Sequence, residues 1–107
     1  MPMIEPPIEE IVRKIAEAFG PRRIVMFGSR ARGDTDPGSD LDLMVEIDTH
    51  DPPAERVRAI DALFGLRRWA MDLVVYTPEE LEQQRQYRNS LVQVIESEGK
   101  VLYEQPG

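Results

Sequence analysis

The sequence contains no cysteine and a single histidine among its 107 residues. Without cysteine the chain can form no disulfide, no zinc–thiolate centre and no cysteine nucleophile. A reducing compartment agrees with this composition, and we expect the protein to be cytoplasmic. His50 follows Thr49 in a predicted loop. A single exposed histidine in such a place more often has no catalytic role than serves as a base.

Long apolar runs and positive charge are also scarce. No run approaches the roughly 18 apolar residues that a membrane span requires, and residues 1–10 lack the basic residues that begin a signal peptide. The chain has 13 Lys and Arg against 20 Asp and Glu, a net charge of −7. Because phosphate neutralisation dominates affinity for nucleic-acid polymers, we expect neither long nucleic-acid binding nor membrane association.

The length and composition indicate one soluble domain over residues 1–107, with residues 104–107 as a frayed tail. Apolar spacing changes repeatedly between the helical and the strand period, which predicts a small α/β (α+β) fold. Thr77-Pro78-Glu79-Glu80 has the pattern of a helix capping box. The predicted strands cover 24–27, 40–47 and 69–76, with a small strand over 101–103. The predicted helices are one over about 5–19, a short one over 29–32, one that starts in the segment 51–53 and has an apolar face at residues 57, 60, 63 and 64, and a last one ending at Gly99.

Charge is unevenly distributed along the chain. Four arginines fall within eleven residues, and the segment 34–51 holds seven acids and no Lys or Arg. Basic and acidic clusters side by side suit a metal–polyphosphate ligand, because each part of the ligand favours the opposite charge. A solubilising surface with chance clustering fits the same pattern. The four arginines are Arg22, Arg23, Arg30 and Arg32.

Asp40 and Asp42 are the first candidate site residues. Residues i and i+2 of a strand point to the same face, so the two carboxylates are predicted to lie side by side. At about 5 Å and an effective dielectric near 20, their repulsion costs roughly 3 kcal/mol. A cation between them would relieve it, and Mg²⁺ favours carboxylate and phosphate oxygens. The alternative is an ordinary polar strand face.

Asp72 is the third candidate, inside the otherwise apolar segment 70–75. A lone carboxylate there is costly unless it lies at the sheet edge, is paired, or binds a metal. If its strand lies beside the strand that carries Asp40 and Asp42, three carboxylates converge, as in two-metal phosphoryl chemistry. Pairing of Asp72 with Arg67 or Arg68 is the competing interpretation.

Gly28-Ser29 ends a predicted strand and begins a predicted helix. Such a turn can present backbone N–H groups to a phosphate, glycine permits close approach, and the serine hydroxyl can donate to phosphate oxygen. An ordinary helix cap is the alternative. The turn is not a P-loop, because no Gly-Lys-Ser/Thr follows, and the chain has no Gly-x-Gly-x-x-Gly.

Together these motifs resemble the signature of the DNA polymerase β-like nucleotidyltransferase superfamily. Gly28-Ser29 is followed after ten residues by Asp40-x-Asp42, and later by Asp72 in a strand. The segments Gly-Ser-Arg-Ala-Arg-Gly at 28–33 and Ser-Asp-Leu-Asp-Leu at 39–43 resemble the minimal nucleotidyltransferase branch, as does Gly-Lys-Val-Leu-Tyr at 99–103. The resemblance implies a single-domain nucleotidyltransferase fold, a small mixed sheet flanked by helices.

The resemblance also implies a role for each matching position. Asp40, Asp42 and Asp72 would be the catalytic residues and would bind Mg²⁺, two ions being expected, with ATP as the substrate. Asp72 would in addition help to deprotonate the acceptor hydroxyl. Gly28 and Ser29 would hold the triphosphate. Arg30 carries no settled family role, and its charge alone suggests a contact with the nucleotide phosphates, although it could equally pair with a nearby acid.

A partner is implied in the same way. Members of this branch are often antitoxins paired with a helical HEPN-type ribonuclease toxin, and the resemblance implies transfer of AMP to a tyrosine of that toxin within a hetero-oligomer. Two alternatives stand beside this expectation. The chain could neutralise the toxin by occlusion, without catalysis, or it could modify a small molecule, for which it has little room for an acceptor domain.

Overall fold

The computed structural model describes residues 4–34, 36 and 38–106. Within that part of the chain, helices and strands alternate much as the apolar spacing predicts. They are the helix Ile8–Phe19 (α1), the strand Arg23–Phe27 (β1), the helix Ser29–Arg32 (α2), the strand Leu41–Glu46 (β2), the helix Pro53–Asp61 (α3), the strand Met71–Tyr76 (β3), the helices Pro78–Gln84 (α4) and Leu91–Glu98 (α5), and the strand Lys100–Glu104 (β4).

The strands form one four-stranded mixed sheet in the order β3-β2-β1-β4. β1 runs antiparallel to both of its neighbours, β2 and β4. β2 and β3 are parallel, and α3 lies in the connection between them. The mixed sheet flanked by helices confirms the predicted α+β fold. The end of β1 therefore lies beside the beginnings of β2 and β3.

Helices cover both faces of the sheet. On one face, α1 and α3 bury Ile11, Ile15 and Ile60 against alternate residues of the strands. On the other face, α4 and α5 bury a smaller cluster of Leu81, Val92 and Ile95 with Val25 and Met44. Because side chains alternate along a strand, the even-numbered residues of β2 and β3 lie on this second face. No helix in the described residues is long and apolar enough to cross a membrane.

The start of α1 differs from its prediction. The helix begins at Ile8, not at about residue 5, and Pro7 precedes its first turn in a non-helical conformation. Two consecutive prolines explain the shift, since the residue before a proline is disfavoured in the helical region. Two strands also begin later than predicted. β3 begins at Met71, after the buried Trp69, and β2 begins at Leu41, after Asp40.

The strand β4 extends into the segment 104–107 that was expected to be a frayed tail. Glu104 belongs to β4, where it pairs with Arg23 of β1, and the Gln105 N–H donates to the Arg22 carbonyl at 2.9 Å. Backbone pairing with the edge of β1 therefore extends further than the apolar residues 101–103 indicate. Gly107 lies outside the described residues.

The capping box of α4 is confirmed and has a second function that the sequence did not indicate. Thr77 accepts from the Glu80 N–H, and Glu80 accepts from the Thr77 N–H. The same Glu80 carboxylate accepts a hydrogen bond from Nη1 of the buried Arg56, with Nη1 2.7 Å from Oε1. The hydrogen bond from Arg56 lowers the pKa of Glu80. A buried arginine is tolerated here because its charge is paired and its N–H groups also reach the Asp51 and Val75 carbonyls.

Glu96 of α5 joins three elements and predicts an acid-sensitive contribution to stability. Its carboxylate accepts two hydrogen bonds from Arg85, at 2.9 and 2.8 Å, and one from Arg23 at 2.8 Å. These contacts, led by the Arg85 hydrogen bond, lower the pKa of Glu96 to about 2. Since the folded-state pKa lies below the unfolded one, the contribution is complete above the unfolded pKa and is lost as pH falls towards about 2.

Glu96→Gln should therefore lower the free energy of unfolding at neutral pH by about 1 kcal/mol, a value that allows for solvent screening. The difference from the wild type should shrink as pH falls from about 5 to about 2. Urea unfolding across that pH range measures it. Glu98→Gln is the matched control, because Glu98 makes one contact with Arg32 at 3.5 Å. A constant difference between Glu96→Gln and the wild type would contradict the assignment.

Candidate active site

Asp42 and Asp72 face each other across neighbouring strands. They are register partners in the parallel pair of β2 and β3, whose backbones lie about 4.8 Å apart. Both belong to the even-numbered positions, so their side chains share the face covered by α4 and α5. The prediction that the carboxylates converge required these two strands to be neighbours, and they are neighbours in the sheet.

The edge position of β3 explains how Asp72 can occupy an apolar strand. β3 is the outermost strand, and Asp72 is exposed, so its carboxylate stays hydrated and the expected burial cost does not arise. The competing pairing with an arginine is not found among the described residues. Arg67 instead binds Asp61 at 2.9 Å and lies 4.9 Å from the centre of the Trp69 ring.

Asp40 lies one residue before β2 and is exposed. It is therefore not the strand partner of Asp42 that the two-residue spacing predicts. The ladder between β2 and β3 begins after it, with the Leu41 N–H donating to the Ala70 carbonyl at 2.9 Å. Asp40 is nevertheless close enough for its charge to act on the Asp42 carboxyl. It sits at the rim of the Asp42–Asp72 pair.

The surroundings of Asp42 disfavour the ionisation of its carboxyl group. Its pKa is raised, first by partial burial, then by the charges of Asp72 and Asp40, and also by a hydrogen bond with Asp72. Arg32 counteracts this only weakly, as the smallest of these influences. A half-buried carboxyl that is disfavoured as an anion by two other carboxylates is stabilised as an anion by an added cation.

The three carboxylates offer oxygen ligands, the chemical type that a hard divalent cation prefers. Carboxylate oxygens are the protein ligands that Mg²⁺ favours, together with substrate phosphates and water. The positions fit less completely: within residues 4–34, 36 and 38–106, no three Asp, Glu, His or Cys side chains converge closely enough to enclose an ion. Two facing carboxylates and a third at the rim match an ion that takes its remaining ligands from a nucleotide.

Gly28 packs directly against Asp42. Its backbone has φ 74° and ψ −156°, a region that is essentially restricted to glycine. A Cβ atom added there would lie 3.1 Å from the Asp42 Cγ and closer still to its Oδ2. The sequence suggested close approach at Gly28, but to a phosphate. The structure shows that the same missing side chain leaves room for the Asp42 carboxylate.

Ser29 begins α2 and is half-buried. Because α2 has only four residues, its dipole adds little to phosphate binding. A phosphate site at Gly28-Ser29 is therefore supported by its location, since these residues follow the end of β1, opposite the start of β2.

The four clustered arginines bind groups of the protein itself. Arg22 binds Asp48 at 2.9 Å, and Arg23 binds Glu46 at 2.9 Å. These two arginines thus pair with two of the seven acids in the segment 34–51. The remaining two also have protein partners: Arg30 contacts Glu5 and the Ser39 carbonyl, and Arg32 contacts Asp34 and Glu98.

Asp42→Asn should raise stability in metal-free buffer. Because the folded-state pKa of Asp42 is raised from its ordinary value of 3.8, its ionisation destabilises the fold above that pH. Asparagine cannot ionise and can still donate to Asp72. We expect a gain of a few degrees in melting temperature at neutral pH, which vanishes as pH is lowered towards about 4. Thermal unfolding with a chelator tests this, and a lower melting temperature for the variant would contradict it.

Two contacts in this region could not be read from the sequence. The packing of Gly28 on Asp42 depends on the antiparallel register that places Phe27 opposite Asp42. The contact between Arg30 and the Ser39 carbonyl depends on how the segment after α2 folds back. A glycine at the end of a strand, followed after ten residues by Asp-x-Asp, is the signal that could have indicated the first contact, and the sequence offers no comparable signal for the second.

Comparisons with known proteins show similarity in sequence and in fold. Residues 8–102 match the family model described as a nucleotidyltransferase domain. A "putative protein adenylyltransferase" of Methanocaldococcus jannaschii is 33% identical over 69 residues, which cover 56% of this chain and 69% of that protein. The crystal structure of a "putative nucleotidyltransferase" from Sulfolobus solfataricus superimposes with a TM-score of 0.65, at 21% identity, over 92% of this chain and 78% of the other. At that identity the crystal structure speaks for the fold.

Proposed function

Since the chain belongs to the nucleotidyltransferase domain family and is a nucleotidyltransferase, we propose that it transfers AMP from ATP to a hydroxyl group of a protein. The observation that carries the proposal is the pair Asp42–Asp72, set face to face on neighbouring strands beside Gly28. An exposed polar strand face would leave both carboxylates hydrated. Here one of them is half-buried against a glycine that has no room for a side chain.

The proposed reaction is a displacement at the α-phosphorus of ATP. The acceptor oxygen forms a bond to that phosphorus, the bond from the phosphorus to the oxygen that bridges to the β-phosphate breaks, and pyrophosphate leaves. The hydroxyl proton goes to a carboxylate, for which Asp72 is placed best because it is exposed at the sheet edge. The products are the AMP ester of the acceptor and pyrophosphate.

Asp40, Asp42 and Asp72 would hold Mg²⁺ together with the triphosphate, and Gly28 and Ser29 would hold the phosphates from the end of β1. The bound metal supplies charge neutralisation for the leaving pyrophosphate and acidifies the attacking hydroxyl. The acid pair alone cannot receive a triphosphate, because both bear negative charge. The protein's own contribution is a fixed arrangement of carboxylates that becomes favourable only when a cation is present.

The acceptor is proposed to be a tyrosine of a HEPN-type toxin, which would make the chain an antitoxin within a hetero-oligomer. Two points support a protein acceptor: the name of the Methanocaldococcus jannaschii relative and the surface beside the site. Leu91 and Val94 are 45% and 39% exposed. They share one flank of α5 with Glu98, which contacts Arg32 of α2, so an apolar stripe leads towards the site. The identity of the toxin rests on family resemblance.

Matched ATP labels test the reaction type. The chain is co-purified with the product of a neighbouring gene, then incubated with Mg²⁺ and ATP labelled at either the α- or the γ-phosphate. Adenylyl transfer places only the α-label on the partner, and mass spectrometry should locate one or more AMP groups on a tyrosine. Transfer of the γ-label, or α-label transfer that survives Asp42→Asn, would overturn the proposal.

A separate experiment tests the protein acceptor. Leu91→Glu with Val94→Glu should reduce partner binding and partner labelling without reducing ATP affinity. Leu66→Glu is the matched control, because Leu66 is fully exposed but lies between α3 and β3, on the opposite layer. Equal effects of both substitutions would contradict docking at α5. Protection of cells by an Asp42→Asn chain that labels nothing would favour occlusion over catalysis.

A further inference from the structure

The Arg30 side chain is buried although it is charged and lies beside the site. Only 6% of it is exposed. Its Nε and Nη2 both donate to the Ser39 carbonyl, at 3.2 and 2.9 Å, and its Nη1 donates to Glu5 at 3.1 Å. All three guanidinium nitrogens thus have protein acceptors. A guanidinium so placed is a structural tie, since it would have to give up these bonds to reach a nucleotide.

The tie from Arg30 to Ser39 joins the two parts of the candidate site, the Gly28-Ser29 turn and the chain just before β2. Arg30 directly follows Ser29, where the phosphates are proposed to bind, and Ser39 directly precedes Asp40. Between described residues within the segment 29–40, the other hydrogen bonds span fewer residues, for example from the Asp34 N–H to the Ser29 carbonyl and from the Ser39 N–H to the Asp36 carbonyl. The Arg30 contact bridges nine residues and fixes the point at which the chain enters β2.

We propose that Arg30 is a positioning residue, which holds Asp40 in place relative to the Gly28-Ser29 turn and touches neither metal nor nucleotide. This inference rests on the proposed function, because it concerns the same site. Asp40 needs such support: it lies outside the sheet, is exposed, and precedes the first ladder hydrogen bond of β2. Without the tie, fewer of the described contacts would hold the backbone at Asp40.

The geometry also specifies arginine. Two N–H groups of one planar guanidinium converge on a single carbonyl while the third nitrogen reaches in another direction to Glu5. Lysine offers a point charge on a flexible stem and cannot reproduce that fork. Arg30→Lys therefore keeps the charge and loses the positioning, which separates the two possible roles of the residue.

Metal binding without nucleotide is the test. Mn²⁺ affinity is measured by electron paramagnetic resonance for the wild type, Arg30→Lys, Arg30→Met and the control Arg32→Met. Arg32 lies on the same helix but is about half-exposed, with contacts of 3.4 and 3.5 Å to carboxylates. Both Arg30 variants should bind Mn²⁺ about 10- to 100-fold more weakly, as is typical when support of a metal ligand is removed. Arg32→Met removes a positive charge that acts on Asp42, so it should bind Mn²⁺ no more weakly than the wild type.

Two further readouts exclude a merely structural or a phosphate-binding role. In metal-free protein, the Asp40 and Leu41 amides should exchange hydrogen faster in Arg30→Lys, while amides of β1 and α5 keep their protection. In activity assays, kcat should fall more than the KM for ATP rises. A phosphate contact predicts the opposite pattern: lower ATP affinity with unchanged Mn²⁺ affinity.

The outcomes separate this inference from the proposed function. If the wild type binds Mn²⁺ through Asp42 and both folded Arg30 variants bind it equally well, the positioning role is wrong and the site stands. If the wild type and Asp42→Asn bind Mn²⁺ alike, the metal site itself is wrong, and the role of Arg30 falls with it. Should Arg30→Met fail to fold, Arg30→Lys alone decides, because it retains the buried charge.

Discussion

Replacing Asp42 with asparagine should reduce AMP transfer by at least about 1,000-fold, because the charge stabilisation supplied by a bound metal is worth several kcal/mol. Asp42 faces Asp72, lies within the influence of Asp40 and contacts Gly28, so it is the centre of the group. Asparagine keeps the size of the side chain but removes the anion. Label transfer from α-labelled ATP, corrected for folded protein, measures the loss.

The same substitution is expected to stabilise the metal-free protein, and the combination is diagnostic. A variant that loses activity by unfolding would be less stable than the wild type, while one that loses a strained functional carboxylate would be more stable. Glu46→Gln is a useful control on the same strand and face. Glu46 pairs with Arg23 at 2.9 Å, so its loss should lower stability and leave the chemistry in place. The reverse assignment of these effects would contradict the site.

Gly28→Ala should be the second largest loss, and it should affect stability as well as activity. The substitution forces a side chain into a glycine-only conformation, which costs roughly 1–3 kcal/mol, and it drives the new Cβ against the Asp42 carboxylate. Displacement of that carboxylate should abolish Mn²⁺ binding. Chemical unfolding and Mn²⁺ titration measure the two effects separately.

Gly33 offers a control for a substitution at positive φ without a clash, although its ψ of 12° differs from the −156° of Gly28. It too has a positive φ, of 83°, but an added Cβ there meets nothing within 4 Å. Gly33→Ala should therefore cost only the backbone strain and should leave Mn²⁺ binding intact. In an Asp42→Ala background, Gly28→Ala should cost less than it does in the wild-type background, because the clash partner is gone and only the backbone strain remains. An unchanged cost in that background would show that the close contact is not the cause.

The secondary structure was largely predictable because its signals are local. Thr77-Pro78-Glu79-Glu80 forms the predicted capping box, since both partners lie within one helical turn. Gly99 follows the last residue of α5, as predicted. The errors lie at boundaries, such as the start of α1 after Pro7, where competing local preferences meet.

The sequence was enough to name the candidate residues of the site, but not their arrangement. Spacing indicated Asp40, Asp42 and Asp72, yet the parallel pairing that brings Asp72 opposite Asp42 joins residues thirty positions apart, and no local pattern fixes such a pairing. The edge position of β3, which leaves Asp72 hydrated, has the same origin. The partners of the clustered arginines could not be predicted either, because a sequence does not show which opposite charges pair.

The central claim is that Asp42 and Asp72, with Asp40 at the rim, form one cation site at the end of β1. Paramagnetic broadening of amide resonances by Mn²⁺ tests this most directly, because it locates the ion without an acceptor protein. We expect broadening centred on Gly28, Ser29, Asp40, Asp42 and Asp72, strengthened by a non-hydrolysable ATP analogue and abolished by Asp42→Asn. Broadening centred elsewhere, for instance on the acidic loop around Asp48 and Asp51, or unchanged in Asp42→Asn, would contradict the account.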